Sequence, residues 1–226
     1  MNDDASRPAP AGAVVDIAIL LFDRFESLDA VGPFEVLRNI PGANVTFVAR
    51  QEGPVRNSSG ALAIVADKAI ADVTSADILV VPGGFGQAAL MDDEEILGWI
   101  RAIDATTTWT TSVCTGSLLL AAAGLLKGKK ATSHWLALEQ LPPYGAEPTL
   151  ERVVVQGKIV TAAGVSSGID MALTLASMIA GDDVAQAIQL GIEYDPQPPF
   201  DAGSPEKAPA EIVELLRGMS RHVVPS

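Results

Sequence analysis

The apolar positions of the chain fall into two rhythms. Val14–Phe22 (VVDIAILLF) is an almost unbroken β-branched and aliphatic run, and Asp77–Pro82 (DILVVP) is a second. Runs of this length suit strands buried on both faces, as in a parallel sheet. Asn44–Ala49 and the threonine-rich Thr107–Val113 (TTWTTSV) predict two more strands. Between them the period changes to helical. Ser27–Arg38 predicts a helix with Pro33 in its early turns, and Asp92–Ile103 predicts another, with Ile96, Leu97, Trp99, Ile100 and Ile103 on one side. Gly116–Ala123 (GSLLLAAA) is apolar all round, which predicts a buried helix that Gly124 and Gly128 terminate.

The remaining segments extend the alternation. Gln51–Ala66 mixes turn residues with short apolar stretches and predicts a hairpin excursion at the sheet edge. Further on the pattern predicts a helix over His134–Leu141, and strands at Arg152–Val155 and Ile159–Ala162 joined by Gln156-Gly157. Helices are predicted over Ser167–Ala180, Asp182–Glu193 and Glu206–Arg221. Asp195–Pro205 carries Pro196, Pro198, Pro199 and Pro205, and is predicted irregular. Such alternation predicts one α/β domain over 13–226: a doubly wound, mostly parallel, flavodoxin-like sheet with helices on both faces. Met1–Gly12, with Asp3, Asp4 and two prolines, lacks the basic start of a signal peptide and reads as a disordered leader.

Composition narrows the function classes. Of 226 residues, 48% are hydrophobic, too many for a mainly disordered chain. The formal charge is −13, and only Lys127, Lys129 and Lys130 cluster, so nucleic acid is not an expected partner. The three lysines follow an apolar helix and suit its negative end. No apolar run approaches the ~20 residues of a membrane-spanning helix, so no membrane partner is expected either. Cys114 is the one cysteine, and His134 and His222 are the two histidines, which disfavours a disulfide framework and a His-rich metal site. A single thiol is consistent with a cytoplasmic location.

Three strand ends carry candidate chemistry. At T-T-S-V-Cys114-Thr115-Gly116 a buried strand runs into an apolar helix with the thiol at the junction, in the form of a nucleophile elbow. A helix N-terminus favours thiolate, so a lowered Cys114 pKa is expected, and free backbone N–H groups there could hold a developing anion. The alternative for Cys114 is a small buried hydrophobe. Its place at the carboxyl end of a central strand favours function, because ligands of α/β sheets bind there. Val80-Val81-Pro82-Gly83-Gly84-Phe85-Gly86 is a second strand end, read either as a backbone cradle or as a tight turn. It lacks the P-loop pattern. After the first strand, Asp29 lies among Leu28, Ala30 and Val31. It reads either as a carboxyl kept protonated by burial or as a helix N-cap. Asp23 and Glu26 lie in polar surroundings that suggest solvent.

Together these stretches resemble the ThiJ/PfpI superfamily of the class I glutamine amidotransferase-like fold over about Asp16–Glu193. The carrying residues are L-D-A-V-G-P-F-E-V-L at Leu28–Leu37, V-P-G-G-F-G at Val81–Gly86, S-V-C-T-G at Ser112–Gly116, A-A-G-L-L-K-G-K-K-A-T-S-H-W at Ala122–Trp135 and G-V-S-S-G-I-D at Gly164–Asp170. The segment Glu193–Pro205 is also family-like. Asp29 stands where many relatives have Glu, and Thr115 follows the cysteine where protease-like members have His. The combination resembles the isonitrile-hydrating branch.

That resemblance implies hydration of an isonitrile to an N-substituted formamide. Cys114 would be the nucleophile, Asp29 the acid and base, and Thr115 the residue that orients groups beside the thiol. Gly83, Gly84 and Thr115 would be the oxyanion and substrate-binding groups. It implies no cofactor, because the thiol supplies the nucleophile, and it implies a homodimer. His134 is read as a packed helix-start residue, with a second role beside the site left open. Ser167 and Asp170 fit a capping box, and the three tryptophans fit the core or an interface. The proline-rich segment is either a plain surface loop or a dimer contact or lid.

Two rival functions remain. The domain also resembles the sensor half of AraC-type regulators, where two helix-turn-helix units follow. Here the proline loop is followed by Glu206–Arg221, which makes this the second expectation. The third is a glyoxalase or stress-response member of the superfamily, disfavoured by Asp29 in place of Glu.

Overall fold

The computed structural model describes residues 14–220. The expected leader, 1–12, and the end of the last predicted helix, Arg221, lie outside the described residues. The strands are β1 Val15–Leu20, β2 Ala43–Ala49, β3 Gly53–Arg56, β4 Ala63–Ala66, β5 Lys68–Ala69, β6 Ile78–Val81, β7 Trp109–Val113, β8 Lys130–Ala131, β9 Glu147–Pro148, β10 Val153–Gln156 and β11 Ile159–Ala162. The α-helices are α1 Ser27–Leu37, α2 Glu94–Asp104, α3 Gly116–Ala122, α4 Ser167–Ala180, α5 Asp182–Gly191 and α6 Ala210–Met219. Seven strands form one sheet in the order β10-β11-β7-β6-β1-β2-β5, parallel throughout except for the β10–β11 hairpin.

The central strands are where the sequence is most uniformly apolar, for a physical reason. Every residue of β6, β7 and β11 is buried, so neither face of the sheet offers a solvated side. One helix group packs α1 on α4 and α4 on α5, and the other packs α2 on α3. Leu118, Leu119 and Leu120 of α3 are all fully buried, as its all-round apolar sequence requires. Each contributes roughly 1.5–3 kcal/mol of transfer free energy to the core.

Chain direction creates a crevice. From β1 the chain crosses through α1 to β2 on one side, and later returns to β6 on the other. The carboxyl ends of β1 and β6 therefore diverge at a topological switch point, and β7 ends beside them. The three motif-bearing strand ends meet there. The sharpest bend is Cys114, whose φ of 57° lies in the left-handed region. A non-glycine residue there costs about 1–3 kcal/mol and persists only where its surroundings over-determine it. Here they do. Its N–H donates to the carbonyls of Ala162 (3.1 Å) and Ala163 (2.8 Å), and its carbonyl accepts from the hydroxyls of Ser117 and Ser133, both at 3.1 Å.

Several expectations are corrected. His134–Leu141 is not an α-helix. Its bonds run from Ala137 N–H to His134 O, from Gln140 to Ala137 and from Leu141 to Leu138, all with 3₁₀ spacing. Pro142 and Pro143 then remove the donors that would continue a helix. The expected hairpin does form, as β3–β4 beside β2; it pairs as its own two-stranded sheet, and the edge strand of the main sheet is the two-residue β5. Ser167 does not form a capping box. Its hydroxyl donates to Gly164 O at 2.8 Å, and Asp170 is taken by an ion pair with Arg152. The last helix begins at Ala210, after Pro209, and not at Glu206. Trp99 and Trp109 are core residues, as expected, whereas Trp135 is half-buried.

Gly116 sets how closely the elbow approaches β6. A Cβ there would lie 2.1 Å from Val81 O and 2.8 Å from Pro82 C. Those atoms are backbone and cannot step aside. Gly116→Ala is expected to lower stability by about 2 kcal/mol or more, measured by urea unfolding. An unchanged midpoint would show that β6 and the elbow can separate.

Candidate functional site

The crevice brings together most of the residues singled out from the sequence. Cys114, Thr115, Gly84 and His134 line one cavity of about 400 Å³, with Asp29 and Gly83 packed directly beneath. Cys114 is 6% exposed and Asp29 is fully buried. Asp29 is not the cap of α1. Glu26 occupies that position, and Asp29 lies inside the first turn. Its Oδ2 accepts the Gly83 N–H at 2.8 Å, and its Oδ1 has no hydrogen-bond partner among the described residues. Gly83 must be glycine because a Cβ would meet Thr115 N at 2.5 Å and Asp29 Oδ2 at 3.0 Å.

The expected anion cradle needs correction. The Gly84 N–H donates to Thr115 Oγ1 at 3.0 Å, so both glycine amides are committed to protein partners. The backbone N–H groups that act on the Cys114 sulfur belong to Thr115 and Val165. Val165 lies in Gly164–Ser167, between β11 and α4. Its role was invisible in the sequence, because G-V-S-S-G is a family pattern with no intrinsic pointer to the thiol.

The ionisation of the pair also departs from expectation. Burial raises the Asp29 carboxyl to about 8. The Gly83 N–H works against that rise, the Glu26 charge adds to it, and the Cys114 side chain lowers it. Burial likewise pushes the Cys114 thiol well above its ordinary value, and the Asp29 charge adds to that. The Thr115 and Val165 amides pull it back in part. The expected low-pKa thiolate is therefore not found. The α3 terminus offers a few partial charges, and desolvation of the buried thiol outweighs them. At neutral pH both groups are held protonated.

Glu26 is not in open solvent, as its polar sequence neighbours suggest. It is half-buried at the cavity wall, accepts from Ser58 Oγ at 2.9 Å, and its charge bears on both acids. Asp23 is exposed, as expected. His134 lines the same cavity, and its Nδ1 accepts from the Leu136 N–H at 3.3 Å. Phe85, Leu136, Leu216 and Met219 complete an apolar side. Leu216 and Met219 come from α6, whose amphipathic spacing predicts a helix but not where it docks.

The DJ-1/PfpI family model matches residues 15–178, and the chain belongs to that family. Isonitrile hydratase of Pseudomonas putida is 45% identical over 203 residues, 90% of this chain and 89% of that protein. A ThiJ/PfpI family protein from Pseudomonas syringae, solved by crystallography, superposes with a TM-score of 0.89 at 38% identity. That match covers 97% of this chain and 90% of the other. The HTH-type transcriptional regulator CdhR of Pseudomonas aeruginosa is 32% identical over 137 residues, 59% of this chain and 40% of its own. Among the described residues no helix is long and apolar enough to cross a membrane.

The raised Asp29 pKa has a testable sign. The folded protein holds this proton up to about pH 8, whereas the unfolded chain releases it near 3.8. Stability contributed by this site is therefore full below about pH 4 and is lost as pH rises toward 8. Asn cannot ionise. Urea unfolding of Asp29→Asn and the parent protein should show the variant gaining on the parent between pH 5 and pH 8, by an amount on the order of a few kcal/mol. A pH-independent difference would mean that Asp29 is ionised in the folded state.

Proposed function

We propose that this protein hydrates isonitriles to N-substituted formamides through a covalent intermediate on Cys114. The observation that carries the reading is the pair itself: a buried carboxyl beside a buried thiol, both pushed toward their protonated forms by desolvation, at a cavity with an apolar side. An isonitrile, R–N≡C, needs a proton on its terminal carbon and a nucleophile at the same atom. A free thiolate would supply only the second.

The steps balance with these two groups. Asp29 gives its proton to the isonitrile carbon while the Cys114 S–H proton passes to the carboxylate. The sulfur forms a bond to that carbon, giving a thioimidate, S–CH=N–R. The Thr115 and Val165 amides stabilise charge that builds on sulfur during this transfer. Asp29, now carrying the thiol's proton, gives it to the nitrogen while its other oxygen takes a proton from water, whose oxygen adds to the same carbon. Collapse of the S–CH(OH)–NH–R adduct breaks the C–S bond and returns the proton to sulfur, releasing the formamide. Thr115 Oγ1 accepts the Gly84 amide with a lone pair, which leaves its hydrogen to orient water. No step calls on a metal or an organic cofactor. The likeness to the P. putida hydratase over nine-tenths of the chain supports the assignment.

Purified protein given an aryl or alkyl isonitrile should form the formamide. Cys114→Ala should abolish turnover, and Asp29→Asn should lower kcat by roughly 10²–10⁴-fold. Turnover that survives in Cys114→Ala would exclude the covalent route. Turnover of methylglyoxal in place of isonitrile would move the protein to a different reaction on the same thiol.

A further inference from the structure

The family match ends at residue 178, yet part of the cavity wall comes from beyond it. Leu216, Met219 and Ser220, at the end of α6, face the same cavity as Cys114. The helix that carries them is lightly held. Val213 is its one buried residue, and the Arg217 guanidinium lies over the Trp135 ring at 5.8 Å. Leu216 is 44% exposed and Met219 71%. Behind α6 lies a second groove of about 1040 Å³, which reaches Val213 and Arg217 on the helix and Trp135 and Leu138 across from it. Leu136 borders both spaces. The helix is thus a partition between two cavities, apolar on the side of the thiol.

The other cavity walls do different work. The strand-end loops bring the reacting groups and the backbone donors. Glu26 brings a carboxylate to the rim, which disfavours an anionic substituent on the substrate. What remains to receive the part of the substrate that does not react is mainly apolar: Phe85, Leu136 and Val165, with Leu216 and Met219 from α6, and His134 and Ser220 as the polar exceptions. At about 400 Å³ the space is within the range of small-molecule sites, roughly 300–1,000 Å³.

We infer that α6, through Leu216 and Met219, selects substrates at this site by the size of a neutral, apolar substituent. Resting on the hydratase reading, this makes α6 the wall that sets how large an R group the isonitrile can carry. The linear C≡N–R unit fixes its carbon at the sulfur, so R must occupy the volume that α6 closes. A side chain enlarged on that helix face removes room from a large R and leaves room for a small one.

The test compares methyl and cyclohexyl isocyanide as substrates of the full-length protein. Leu216→Trp should lower kcat/KM for the cyclohexyl compound about tenfold relative to the methyl compound. Leu215→Trp, on the same helix but outside the cavity lining, serves as the control and should leave the ratio within about twofold. A second measurement is independent of hydration: alkylation of Cys114 by N-methylmaleimide and N-cyclohexylmaleimide, followed by intact mass. Leu216→Trp should slow the cyclohexyl reagent selectively. If maleimide selectivity shifts while no isonitrile is hydrated, the wall stands and the hydratase reading falls. If isonitriles are hydrated and neither ratio moves in Leu216→Trp, the hydratase reading stands and the role of α6 is overturned.

Discussion

Two acids are buried side by side at the floor of one crevice, and that constraint orders the rest of the site. Asp29 is fully buried and Cys114 is 6% exposed, so each is costly to ionise, and the Asp29 charge makes the thiol costlier still. Their titrations belong to the pair and not to either residue alone. The result is a neutral donor next to a neutral nucleophile. This pairing suits a substrate that needs a proton and a nucleophile at one carbon, and it suits poorly a reaction that begins with a standing thiolate.

The fold pays for this arrangement in backbone geometry. Cys114 is held in a left-handed conformation by hydrogen bonds to its own N–H and carbonyl, from the β11 end, α3 and Ser133. Gly83 and Gly116 let the β6 end and the elbow approach to distances no side chain would allow. Each of these contacts links a different strand end, so the pair depends on the crevice formed by β1, β6 and β7 together. The same closeness commits the Gly83 and Gly84 amides to Asp29 and Thr115, which is why stabilisation of charge on sulfur passes to Thr115 and Val165.

Much of this was legible in the sequence because it rests on local pattern. The unbroken apolar runs at β1 and β6 and the all-round apolar α3 point directly to a parallel sheet covered on both faces. Cys114 at a strand-to-helix junction and Asp29 among apolar neighbours mark the site. What was not legible depends on contacts distant along the chain. The pKa of Cys114 was misjudged because a helix terminus is visible in sequence and desolvation is not. Glu26 looked solvated because its neighbours are polar, yet the β6 loop and the Ser58 turn fold over it. The His134–Leu141 segment carries a helical pattern, but the prolines that follow it and bonds such as the 2.8 Å contact from Ala137 N–H to His134 O keep it in tighter turns. The docking of α6 is set by packing against Trp135 across a long separation in sequence, which periodicity cannot report.

Protonation of the buried thiol at neutrality can be measured on one chromophore. Cys114 is the sole cysteine, so thiolate absorbance near 240 nm, corrected for tyrosine with Cys114→Ala, reports it alone. The account predicts a midpoint well above the ordinary thiol value in the parent protein, and a fall in that midpoint when Asp29→Asn removes the neighbouring charge. A thiolate that forms below about pH 7 in the parent, with no shift in Asp29→Asn, would contradict it.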